Sequence, residues 1–206
     1  MMRRVIFTIV IAALLWTLMF SPWTAHCFNF WWMMTGSATL LMSLATIFAP
    51  GWWRQVRLTP SNIAFGILIA VALWGVFWLG DKLSQLMFDF ARPQVDNIYG
   101  MKEGESPWLL TALLLLIIGP AEEIFWRGYV QRTFSQHWNP NTGFVVTTLI
   151  YAVVHAGSFN FMLVMAAFVA GAAWGLLYRL FPERLAALIV SHALWDAAVF
   201  IWFPIM

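Results

Sequence analysis

The chain has 206 residues, 62% hydrophobic and only 10% charged, with 14 Trp and 18 Phe. A soluble domain carries about 25% charged residues, so this composition excludes an ordinary soluble domain and points to a protein embedded in a bilayer, at a length that suits one helical bundle. The formal charge of +2 gives no footing for nucleic acid as a partner, and the single Cys27 excludes an internal disulfide.

Residues 1–27, MMRRVIFTIVIAALLWTLMFSPWTAHC, imitate a signal peptide. The apolar run from Val5 to Phe20 is long for a cleaved signal, and Trp23 spoils the small-x-small pattern before Ala25. The segment therefore reads as an uncleaved signal anchor and the first transmembrane helix. A spanning helix needs about 20 mostly apolar residues, and seven candidates follow: 5–21, 28–49, 61–80, 107–134, 143–160, 161–180 and 184–203. Pro60-Ser61-Asn62 and Ser106-Pro107 suit helix starts, and Pro182-Glu183 separates the last two helices. Residues 81–106 form one long polar connection, expected to fold partly as a helix on the outer surface. The predicted fold is an all-α polytopic membrane bundle, with residues 1–106 as scaffold and residues 107–206 as functional core.

The basic residues test this layout. With seven alternating spans, Arg3, Arg4, Arg54, Arg57, Arg127, Arg132, Arg179 and Arg184 share one side, whereas the other holds only Lys82, Arg92 and Lys102. Eight against three places the N-terminus in the cytoplasm and the C-terminus outside by the positive-inside rule. A bacterial inner-membrane protein fits this pattern.

Ionisable residues inside a bilayer cost several kcal/mol unless paired, so they are functional candidates. Within the predicted spans they are Glu122, Glu123, Arg127, His155, His192 and Asp196, all in the second half of the chain. The first three helices then serve as packing and lipid-facing scaffold. In IIGPAEEIFWRGYVQR, Glu123 and Arg127 stand at i, i+4 and form a clamp on one helix face. Glu122 points about 100° away, free to act as a general acid or base. Gly119-Pro120 should interrupt the helix and bend it. Tyr151 stands one turn before His155 in YAVVHAGSFN and is a natural orienting neighbour. His192 and Asp196 in SHALWDA share a face of the last helix and can jointly hold one small group.

Taken together, EEIFWRG, Tyr151…His155 and His192…Asp196 resemble the three ordered motifs of the CPBP family, EExxxR, FxxxH and HxxxN/D. These are membrane-embedded proteases related to the CAAX prenyl endopeptidase and to bacteriocin-processing proteins. Tyr151 replaces the usual Phe, a mild departure, and Asp196 replaces the Asn of the eukaryotic prenyl proteases. The resemblance implies an intramembrane glutamic-type endopeptidase without a cofactor. Glu122 and His155 would activate water, His192 and Asp196 would position the substrate or its oxyanion, and Glu123, Arg127 and Tyr151 would support them. Its partners would be the lipid bilayer and a membrane-associated protein or peptide, for instance one carrying a C-terminal hydrophobic tag.

Alternatives stay open at this level. Glu122, His155 and His192 could bind zinc with an open fourth position, although H-E-x-x-H is missing. Ser158 or Ser191 could pair with His155 or His192 as a nucleophile. The chain could also be a non-catalytic membrane immunity or chaperone-like protein, or a proton pathway. A geometric demand comes with the protease reading. Glu122 and His155 lie late in oppositely directed helices, so they meet only if the fourth helix, expected with a kink near Pro120, continues through Phe134 and the fifth starts early or tilts.

Overall fold

The computed structural model describes residues 1–205 and contains helices and turns only, with no strand among the described residues. We number the helices α1 (Met2–Phe20), α2 (Phe30–Phe48), α3 (Pro60–Met87), α4 (Ala91–Gly100), α5 (Pro107–His137), α6 (Pro140–Val153), α7 (Phe161–Leu180) and α8 (Pro182–Trp202). Several starts follow from local chemistry. The Asn29, Thr59, Asn139 and Asn160 side chains each accept a backbone N–H from the first turn of the following helix, and Pro60, Pro107 and Pro140 occupy first-turn positions where no donor is needed.

Six helices are long and apolar enough to cross a membrane. The predicted fifth span, 143–160, falls short: α6 ends at Val153 after 14 residues, and residues 154–160 turn through Phe159 at φ 54°. The turn nevertheless completes the traverse. Asn160 donates to the Gln94 carbonyl of α4, at the end of the bundle opposite the α5–α6 connection. The predicted third span also needed correction, because α3 runs to Met87 rather than stopping at residue 80. Its charged end continues as helix because Gln85 donates to the Asp81 carboxylate one turn back, at 2.6 Å. The 81–106 connection contains α4, so a helix does form within it.

α5 and α8 form the centre. Of their most apolar stretches 56% and 67% is buried, against 22–33% for the other spans, so the remaining helices pack around this pair. Gly119 sets how closely the pair approach. A Cβ there would lie 2.7 Å from the Ala193 Cα, so only glycine lets α8 lie this near. The same approach brings His192, the neighbour of Ala193, against the Glu122-Glu123 turn.

The helix does not break at Pro120. α5 runs continuously for 31 residues, about 46 Å at 1.5 Å per residue. It accommodates the proline by widening to π-helical geometry at Leu114–Ile118, where the Gly119 N–H bonds to the Leu114 carbonyl, and again at Ile124–Gln131. Such π segments are frequent at functional sites because they re-aim side chains within a continuous helix. The demand for one long fourth helix is met, with widening in place of the interruption foreseen at Pro120.

Candidate active site

Glu122 sits at the midpoint of α5 and is buried, 6% exposed. Its Oε2 accepts the Tyr151 hydroxyl at 3.1 Å. Tyr151 also gives its backbone carbonyl to Nδ1 of His155, at 2.7 Å, from the end of α6. A carbonyl only accepts, so Nδ1 carries the proton. The Nε2 atom of the same ring receives the indole N–H of Trp16 at 3.1 Å. An indole only donates, so Nε2 presents its lone pair and His155 is a neutral Nδ1–H imidazole. No hydrogen bond joins Glu122 to His155 directly; Tyr151 bridges them. The substitution of Tyr for Phe in this motif is therefore not mild, since the phenol supplies the Glu122 partner.

Glu123 turns the other way and is fully buried. Its Oε1 accepts from Arg127 at 2.7 Å and from Nδ1 of His192, also at 2.7 Å. A carboxylate held by a guanidinium is ionised, so His192 donates through Nδ1 and directs Nε2 towards Asp196 Oδ2 at 3.4 Å. The Trp174 ring stacks on His192 at 3.9 Å, nearly parallel, and its indole N–H is anchored on the Ser191 hydroxyl. Arg127 is clamped further by the Gly171 carbonyl at 3.3 Å and by the Tyr151 and Trp174 rings, 5.0 and 5.5 Å from its guanidinium carbon. The expected Glu123–Arg127 pair is thus present, and it doubles as the anchor of His192.

Glu122, Tyr151, His155, His192 and Asp196 line one cavity of about 560 Å³, otherwise largely apolar. The sequence-predicted residues are brought together in two groups, Glu122–Tyr151–His155 and Glu123–Arg127–His192–Asp196, across three helices. Neither candidate serine gains a histidine partner: Ser191 is buried under Trp174, and the Ser158 hydroxyl accepts the Asn160 N–H. The zinc set fits poorly as arranged. Both His155 nitrogens are engaged, and among the described residues no three His, Cys, Asp or Glu side chains are grouped to hold a metal ion.

Sequence reasoning missed three contributors. Trp16 comes from α1, which was read as scaffold, and nothing in its apolar run marks it. Trp174 carries a weak local sign, since the small residues of GAAWG allow a large ring to pack tightly. Asp81 also lines the cavity, buried and far from the motifs in sequence.

Fold and site together define a polytopic helical membrane protein with a buried carboxylate–histidine centre. Residues 104–198, a little under half of the chain, match the family model described as Rce1-like, type II CAAX prenyl endopeptidase Rce1-like. This segment contains all three motifs, and the match agrees with their resemblance to the CPBP family. No curated protein and no solved structure matches it.

Proposed function

We propose that the chain is an intramembrane endopeptidase that hydrolyses a peptide bond in a membrane-associated protein or peptide. The observation that carries this reading is the single cavity shared by Glu122, His155, His192 and Asp196. The match of residues 104–198 to the Rce1-like family model supports the reaction class.

In the proposed reaction a water held against Glu122 attacks the scissile carbonyl. The carboxylate takes the water proton and returns it to the leaving amine, so acid and amine products balance the water consumed. Tyr151 fixes one carboxylate oxygen and leaves the other for water. His155 assists through Nε2, which requires the Trp16 indole to yield that atom to the water. In this scheme His192, held by Glu123 through Nδ1–H and stacked on Trp174, is protonated at both nitrogens, so that its Nε2–H donates to the developing oxyanion while Asp196 orients that edge of the ring. A positioned general base contributes roughly 10²–10⁴-fold and an oxyanion donor about 10²–10³-fold. No metal is needed in this scheme.

The test is capture of substrates on Glu122→Gln in native membranes, followed by mass spectrometry. The reading expects membrane peptides enriched on the variant and cleaved by the parent enzyme in strong chelator. Cleavage abolished by chelator and restored by zinc would favour the metalloprotease. A Glu122→Gln chain with full cellular function would favour a non-catalytic binding protein.

A further inference from the structure

The cavity occupies only one end of the bundle. Contacts between connections sort the ends without reference to a membrane. At one end Arg4 lies over Phe48, Arg184 over Phe65, and Tyr178 donates to Gln55. At the other, Trp31 donates to the Met101 carbonyl, Asn160 to the Gln94 carbonyl and Lys102 to the Phe200 carbonyl.

The cavity-lining stretches run from the second end to the middle of the bundle, where Glu122 and Trp174 close the cavity. It takes the last turns of α1 at Trp16 and Phe20 and the first turns of α2 at Phe30–Met34. From α3 it takes the end, from α5 the half before the midpoint, and from α8 the half beyond His192. The arginine-rich end contributes no lining residue.

Charge then orients the molecule. Arg127 is buried in its clamp and does not report on a membrane face. That leaves ten of the eleven Lys and Arg, and seven (Arg3, Arg4, Arg54, Arg57, Arg132, Arg179, Arg184) lie at the closed end against three (Lys82, Arg92, Lys102) at the cavity end. The acids reverse the balance: Asp81, Asp89, Asp96, Glu103 and Glu105 stand at the cavity end, and Glu183 at the other. Lys and Arg mark the cytoplasmic side, so the cavity faces away from the cytoplasm.

The mouth is lateral. Val76, Leu83 and Met87 of the α3 end and Met165 of α7 line the cavity while remaining 37–70% exposed, so the wall is open between these helices beside the point where the Phe88 and Phe161 rings meet. The geometry points to an outward-facing enzyme whose substrate enters from the non-cytoplasmic leaflet. The substrate class is a polypeptide with an apolar, membrane-seated segment and its scissile bond on the outer side, as opposed to a lipidated tail presented from the cytoplasm. This rests on the protease reading for the word substrate, but the facing of the cavity does not.

The chain carries its own reporter, because its single cysteine, Cys27, is exposed in the α1–α2 connection at the cavity end. The experiment is labelling with a membrane-impermeant maleimide in intact bacterial spheroplasts, on the parent chain and on two variants in a Cys27→Ser background. Met87→Cys reports the mouth and Glu183→Cys the closed end. Labelling of Cys27 and Met87→Cys in intact spheroplasts, with Glu183→Cys labelled only after permeabilisation, is the expected result. The reverse pattern, or labelling of all three from outside, overturns the proposal. Labelling needs no catalysis. An inactive chain labelled as expected would sink proteolysis and leave the facing, and an active chain labelled in reverse would do the opposite.

Discussion

Arg127 is the position where the structure permits the clearest energetic prediction. Its guanidinium is 1% exposed and meets Glu123 at 2.7 Å, the Gly171 carbonyl and two aromatic faces. Arg127→Met removes the positive charge and leaves Glu123 ionised and buried, with only the imidazole of His192 beside it. Removing one partner of a buried ion pair costs about 3–5 kcal/mol, a large share of the roughly 5–15 kcal/mol that holds a domain folded. Glu123→Gln strands the arginine and should cost a similar amount, although its amide oxygen still accepts from His192. The double variant strands neither charge. A double-mutant cycle, read by denaturant unfolding of the purified protein in detergent, should therefore show coupling of at least ~2 kcal/mol, with the double variant much more stable than the sum of the singles predicts. Glu122→Gln, which touches no arginine, should leave stability within about 1 kcal/mol of the parent. Additive Arg127 and Glu123 effects, or an Arg127→Met chain as stable as the parent, would refute the clamp.

Three further outcomes follow from the same geometry. Trp16→Phe removes the donor to His155 Nε2 and should destabilise by about 1–3 kcal/mol; nitrogen NMR of labelled histidine should show Nδ1 protonated in both proteins and the Nε2 resonance displaced in the variant, and an Nε2–H tautomer in the parent would contradict the assignment. Tyr151→Phe deletes only the hydroxyl on Glu122, so it should lower the rate of peptide hydrolysis and cost about 1–3 kcal/mol, whereas unchanged values in both measurements would remove Tyr151 from the site. Gly119→Ala presses a methyl group onto the Ala193 backbone and should destabilise by about 1–3 kcal/mol, while an equal or higher unfolding midpoint would show that α5 and α8 do not approach this closely.

Much of the candidate site's clustering was legible because it gathers ionisable residues in apolar surroundings, where every such residue stands out. Glu122, Glu123, Arg127, His155, His192 and Asp196 needed only the cost of burying charge to be singled out, and i, i+4 spacing paired two of them on α5 correctly. Periodicity could not show how α5 absorbs Pro120, because π-widening answers a local hydrogen-bond deficit with no change in composition. The end of α6 was hidden for a related reason: residues 154–160 are apolar enough to read as helix, and the turn at Phe159 depends on tertiary contacts. Trp16 was invisible in principle. One indole in a run of membrane-seated apolar residues carries no sign of which ring it will meet 139 positions later. Glu123 shows a subtler limit, since spacing gave its bond to Arg127 but only the close crossing at Gly119 reveals that the same oxygen also holds His192.

The central claim is that Glu122 performs chemistry on a membrane-seated polypeptide. The measurement that tests it most directly compares the termini of membrane peptides, by quantitative mass spectrometry, in cells producing the parent chain or Glu122→Gln at equal levels. The account predicts a set of cleaved termini that depends on the parent and falls at least ~100-fold in the variant, in keeping with loss of a general base, while the folded variant accumulates normally. Identical termini in the two membranes, with both proteins folded, would contradict it.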